Sequence, residues 1–197
     1  MCFMIIIRKH IVLFLLLLTI VPFYGQNLPP FTSLDSDTLT WKDSQGIHLL
    51  LLEQSDVVTD EETGFSSQTI QATHWLKKDK RLQKTWSFQD GIKDCPVDIE
   101  AKFLAAPQFS DLDNDGLFEI WFIIQKSCKG DVSPSLIEVV MVNHKNAKYF
   151  LEAEQKLVFP NGSTDGGTYD LGDFESLPEP FQDYALEYLF KNYEYKY

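Results

Sequence analysis

From about residue 38 onward the chain is built of short runs in which apolar and polar positions alternate, broken by turn residues. Leu39-Thr40-Trp41 and Ile47 to Leu52 flank Asp43-Ser44-Gln45-Gly46, the pattern of a β-hairpin. Thr69 to Lys77 and Leu82 to Phe88 flank the charged tip Lys78-Asp79-Lys80-Arg81. Both runs are rich in Thr, Trp, Ile and Phe, so they read as a second hairpin. Asp98 to Leu104 is a further strand. Phe118 to Ile124 is the most hydrophobic stretch of this region, and its length suits a strand buried on both faces better than a helix. Leu136 to Val142 is rich in β-branched residues and is expected to pair with it, and Asn143 to Asn146 turns the chain into a return strand from Ala147 to Ala153. The period lengthens only between Leu177 and Tyr193. There Pro178 and Pro180 sit where a helix begins, and Phe181, Tyr184/Ala185 and Tyr188/Leu189 fall on one face. The predicted fold is mainly β (α+β): an antiparallel sheet or sandwich of about 8–10 strands with one C-terminal helix at about residues 178–193. No repeat of propeller-blade or solenoid length is visible.

The N-terminus follows another pattern. Arg8, Lys9 and His10 precede an apolar run from Ile11 to Val21, and Pro22 and Gly25 end it. A basic start, a short apolar run and a small residue make a secretory signal peptide, expected over residues 1–25. The run has 11 residues, against about 20 for a bilayer-spanning helix, which favours a cleaved leader over an anchor. Cys2 precedes the run, so a lipoprotein anchor is not expected. Residues 26–37, with Pro and Ser in NLPPFTSLDS, read as a coil or tether, and residues 38–197 as a single β-rich domain. The expected location is outside the cytoplasm, periplasmic or at the cell surface, with the membrane met only through the leader.

Composition narrows the function. Of 197 residues, 29 are Asp or Glu and 17 Lys or Arg, a net charge of −12, which disfavours a nucleic-acid groove. At 44% hydrophobic and 14% aromatic the chain can bury a sizeable core. Loss of Cys2 with the leader would leave Cys95 and Cys128 as a pair in an oxidising compartment, where a disulfide is expected. Such a bridge stabilises by roughly 3–4 kcal/mol in the loop-entropy account. No Cys/His grouping has zinc spacing.

The candidate chemistry lies in Asp111-Leu112-Asp113-Asn114-Asp115-Gly116-Leu117-Phe118-Glu119. Calcium takes six to eight oxygens, and alternate carboxylates in a tight loop converge on one centre. Asp111, Asp113 and Asp115 are the first candidate ligands, the Leu117 carbonyl a fourth, and Glu119 a fifth, direct or through water. Gly116 permits the sharp turn. The motif matches the first seven positions of an EF-hand loop but has Phe122 where that loop needs a bidentate Glu, and its flanks read as strands. It more closely resembles the calcium loops of FG-GAP/VCBS-type β-repeats, which join two strands and end on an acid, here Glu119 rather than the more usual Asp. The resemblance covers about 15 residues and implies the loop, not the multi-copy propeller. A wider stretch through Ser127-Cys128-Lys129-Gly130-Asp131-Val132-Ser133-Pro134-Ser135 to Val142 resembles small exported bacterial proteins labelled surface-polysaccharide biosynthesis. That resemblance implies a context and no reaction.

Catalytic signals are sparse. His48, His74 and His144 read as isolated structural residues, and no serine-hydrolase or zinc-protease motif is present. The expectation is therefore an exported, calcium-stabilised β-domain with a non-catalytic binding or scaffolding role in envelope or surface-polysaccharide assembly, its partner a polysaccharide or an envelope protein. The alternative is an exported carbohydrate-active enzyme using a carboxylate pair such as Asp98 and Glu100.

Overall fold

The computed structural model describes residues 32–35 and 38–197. The expected leader, Cys2 and most of the expected tether lie outside the described residues. Three sheets and one α-helix make up the described chain. The first sheet holds β1 (Thr32–Asp35), β2 (Thr38–Lys42), β3 (Ile47–Gln54), β4 (Val58–Thr59), β5 (Ser66–Lys78) and β6 (Arg81–Cys95), all paired antiparallel. Thr32–Asp35, placed in the tether by the sequence reading, is thus an edge strand hydrogen-bonded to β2. The second sheet holds β7 (Ile99–Phe103), β8 (Gln108–Ser110), β9 (Glu119–Cys128), β10 (Leu136–Val142), β11 (Lys148–Glu154) and β14 (Tyr169–Asp170), also antiparallel. A small third sheet joins β12 (Lys156–Val158) to β13 (Thr164–Asp165) and, in parallel, to β15 (Glu194–Lys196). The helix α1 spans Glu179–Asn192, with Pro178 at its N-cap. Among the described residues, nine strands have four residues or more, within the expected range, and the rest are short pairings of two or three residues.

The second sheet is the middle layer. Ile120, Phe122 and Ile124 of β9 and Val140 and Val142 of β10 pack on Leu50, Ile70, Ala72 and Phe88 of the first sheet. Trp121 and Ile123, with Ile137, Val139 and Met141, pack on Phe181, Ala185, Tyr188 and Leu189 of the helix. Alternate residues of one strand thus enter two different cores, which is why the run from Ile120 to Ile124 carries no polar face. Burying each large apolar side chain contributes about 1.5–3 kcal/mol, so the two-sided strand anchors both layers.

Two cross-links tie the first sheet to the middle one. Cys95, ending β6, forms a disulfide with Cys128, ending β9, with Cα atoms 5.7 Å apart. Lys126 of β9 reaches Asp90 of β6 at 2.6 Å and Glu138 of β10 at 2.8 Å. Burial raises the Glu138 carboxyl above its usual range, with Lys126 opposing, whereas Asp90 is held below its usual range by Lys126 and the Gly91 N–H against the effect of burial. Among the described residues no helix is long and apolar enough to cross a membrane.

Candidate functional site

The acidic loop closes the β8–β9 pair. Ser110 stands opposite Glu119, so residues 111–118 form a tight excursion from a regular ladder. Its turns come from the backbone capacity of Asn114 (φ +58°) and Gly116 (φ +80°), both left-handed. The aspartates stitch the loop together: Asp111 Oδ2 accepts the Gly116 N–H at 3.1 Å, Asp113 Oδ1 the Asp115 N–H at 3.3 Å, and Asp115 Oδ1 the Leu117 N–H at 2.8 Å. Glu119, 1% exposed, accepts the Ser110 hydroxyl at 2.6 Å and the Leu112 N–H at 3.1 Å. Burial raises its carboxyl above the ordinary range, the two hydrogen bonds oppose this, and the neighbouring Asp113 charge adds to the rise.

Carboxylate oxygens of Asp111, Asp113 and Glu119 lie within 4.8 Å of one another. Asp115 belongs to a second group with Asp113 and His144, and its Oδ2 lies 3.0 Å from His144 Nδ1. Three of the five expected ligands therefore cluster. Asp115 turns toward His144, which is therefore not isolated as its sequence context suggests, and Leu117 is half-buried with its N–H given to Asp115. His144 reaches the loop from the β10–β11 turn, a contact with no signature in the sequence.

Beside this loop, at the same end of the sandwich, is a cavity of about 160 Å³ whose lining includes Trp41, His48, His74, Thr85, Trp86 and His144. Trp41, His48, His74 and Trp86 come from β2, β3, β5 and β6, four neighbouring strands, and their rings stack with centroids 4.8 to 5.5 Å apart. His48 Nδ1 lies 3.0 Å from His74 Nε2, and His74 Nδ1 lies 2.5 Å from Thr85 Oγ1. His48 Nε2 approaches Asp43 Oδ1 to 2.8 Å, obliquely enough to be an electrostatic contact rather than an aligned hydrogen bond. Burial, then the charge of His48, lowers His74 to about 4, and Asp43 opposes the shift. His48 and His74 are thus not isolated, as the sequence suggested: the ladder sets them side by side although they are 26 residues apart. A hairpin register drawn from the two turns hints at this row, but the bulge that places Thr85 in it leaves no such sign.

A polar groove of about 320 Å³ lies toward the other end of β9. Its floor holds Gln125, Ser135 and Gln155, all at least nine-tenths buried, and Tyr195 and Tyr197 stand exposed on its rim. Gln125 Nε2 donates to Glu100 at 3.1 Å and to Ser135 Oγ at 3.3 Å. Glu100 also pairs with Lys102 at 2.7 Å, while Asp98 precedes β7 in a turn whose carbonyl accepts the Lys129 N–H. Glu100 is therefore committed to cationic and amide partners.

Comparison of the chain with protein-family models, with curated proteins and with solved structures found no match.

Proposed function

We propose that the chain is an exported β-domain in which a calcium ion, held by Asp111, Asp113 and Glu119 with help from Asp115 and the Leu117 carbonyl, fixes the entry to the central strand, and that the domain works by binding carbohydrate. The observation that carries the ion is the convergence of three carboxylates from a loop only nine residues long within 4.8 Å. Without a cation these like charges repel one another, and the raised Glu119 carboxyl expresses the cost of burying one of them. Calcium titrated into the purified protein by calorimetry is expected to bind at one site and raise the melting temperature, with Asp113→Ala abolishing both effects. Absence of heat and of a thermal shift up to millimolar calcium rejects the ion.

The carbohydrate is supported by the groove at the far end of β9. Buried amide and hydroxyl groups on its floor offer hydrogen bonds to sugar hydroxyls, and the exposed Tyr195, braced by a Tyr197 that is itself stacked on Phe159, offers an aromatic surface to a sugar ring. This fits a role in cell-envelope or surface-polysaccharide assembly. In a screen of bacterial polysaccharide fragments, Tyr195→Ala should weaken binding by about threefold to tenfold, the usual worth of one aromatic contact. If no fragment binds, the groove has no such role.

A further inference from the structure

The row of aromatic residues inside the first sheet contains a directional chain of polar contacts. The β5–β6 ladder pairs Trp75 with Lys84 but His74 with Trp86, so Thr85 is the extra residue of a β-bulge. A bulge re-aims side chains, and here Thr85 joins Trp86 in lining the cavity. The contact of His48 Nε2 with the Asp43 carboxylate is oblique, but at 2.8 Å a bare nitrogen lone pair would be repelled by the carboxylate oxygen. A neutral His48 is therefore placed with its hydrogen on Nε2 and Nδ1 as an acceptor. His74 then carries its hydrogen on Nε2, directed at His48, and its Nδ1 accepts the Thr85 hydroxyl. The Thr85 hydroxyl also lies 3.2 Å from the His74 carbonyl, but the contact to Nδ1 is the shorter. With this choice of tautomers all three hydrogens point one way, from hydroxyl to carboxylate. That is the logic of an activated nucleophile, a base at its side and a group orienting the base, extended by one imidazole. A second, separate observation marks the same cavity. Trp41 is 4% exposed and lines it, yet its buried Nε1–H has no hydrogen-bond partner among the described residues.

We propose that this cavity is an ester-hydrolysing site, with Thr85 as nucleophile, His74 as its base, His48 and Asp43 as positioning residues, and the Trp41 Nε1–H as donor to the oxyanion. Thr85 Oγ1 attacks the ester carbonyl carbon and its proton passes to His74 Nδ1, while the His74 Nε2 proton moves to His48 Nδ1. Positive charge then rests on His48 beside the Asp43 carboxylate and not on His74, whose burial makes it a poor place to hold a charge. The tetrahedral carbon collapses, its C–O bond to the alcohol breaks, and the alcohol leaves with the proton returned through His74. Water attacks the acyl-threonine by the same route, releasing the carboxylic acid and restoring the hydroxyl. The cavity, about 160 Å³ and flanked by Leu76, Phe118 and Ile120, is of the size that holds one benzene-sized group, so the acyl part is small, acetyl or propionyl. The site goes beyond the calcium and carbohydrate readings and requires neither.

The test uses the full calcium-equilibrated protein with p-nitrophenyl acetate and p-nitrophenyl octanoate. The acetate ester should be hydrolysed above the buffer rate, with kcat/KM at least about tenfold that for octanoate, since a long acyl chain overfills the cavity. Thr85→Ala should lower the rate at least about 100-fold with the melting temperature kept, Thr85→Ser should keep activity within about tenfold, and Asp43→Asn should lower kcat with KM unchanged. Acid quenching during turnover should leave an acetyl group on the peptide holding Thr85, a readout that needs no variant. Hydrolysis at the buffer rate, an unaffected Thr85→Ala protein, or an acetyl group located elsewhere overturns the proposal.

Discussion

His74 shows how a single buried side chain converts its surroundings into a pH response. An unfolded histidine titrates near 6.5, and in the fold burial and the charge of His48 lower that to about 4. Between those values the unfolded chain takes up a proton that the folded chain refuses. The contribution is therefore complete above pH 6.5 and is lost as the pH falls toward 4, by at most ~1.4 kcal/mol per pH unit and about 3 kcal/mol in all. Urea denaturation at pH 7 and pH 4.5 checks this. The wild-type protein should lose stability over that range, and His74→Gln should lose distinctly less. Equal losses would place the acid sensitivity elsewhere. None of this was legible in the sequence, where His48 and His74 each sit in a β-run with no neighbour of matching chemistry. The acidic loop was legible because its acids lie within nine residues of sequence, and local spacing alone brings Asp111, Asp113 and Glu119 together. Its exception is non-local in cause: Asp115 turns to His144, supplied by a separate hairpin.

At the level of elements, the bulges shape the first sheet. One lies at Thr85. Another lies where pairing slips between Ser66 and Gln68 of β5, close to Gly91 of β6. Gly91 has φ +151°, and a Cβ there would meet the Gln68 carbonyl oxygen at 2.2 Å. Gln68 in turn links the first sheet to its neighbours: its side chain accepts the Ala101 N–H of β7 at 2.7 Å and donates to the Ser55 carbonyl at 3.2 Å. Gly91→Ala should destabilise the protein by about 1–3 kcal/mol, because the backbone must move where it is already close-packed. Chemical denaturation measures this, and a neutral result would mean that β6 slides freely over Gln68. The strands themselves were readable from alternation and turn residues, and the helix from its changed period, with Phe181, Ala185, Tyr188 and Leu189 buried as that period implies. The bulges were not, since an extra residue in a ladder is set by pairing across the sheet and not by the residue's own preference. Thr32–Asp35 escaped for the same reason: a Pro/Ser-rich context reads as coil until the open edge of β2 offers it hydrogen bonds.

On the scale of the whole molecule, the central strand β9 is secured at both ends. Its first residue, Glu119, belongs to the acidic loop, and its last, Cys128, is bridged to the end of β6. The ten residues of the strand span roughly 30 Å from one to the other, with the buried Ile120–Gln125 stretch between. The bridge acts by restricting the unfolded chain and is worth about 3–4 kcal/mol. An ion bound as proposed would act on the folded state by mass action, contributing about 2.7 kcal/mol at a concentration 100 times its dissociation constant. Sites this far apart with no shared partner should add within about 0.5 kcal/mol. Denaturation in four conditions, with calcium or chelator and with or without reductant, tests that additivity. The expected pattern is two independent losses, one from chelation and one from reduction, which sum when both are imposed. A chelation loss that vanishes in the reduced protein would instead mean that the acidic loop is organised only when the bridge holds β6 against β9. The two ends of the strand would then form one cooperative unit.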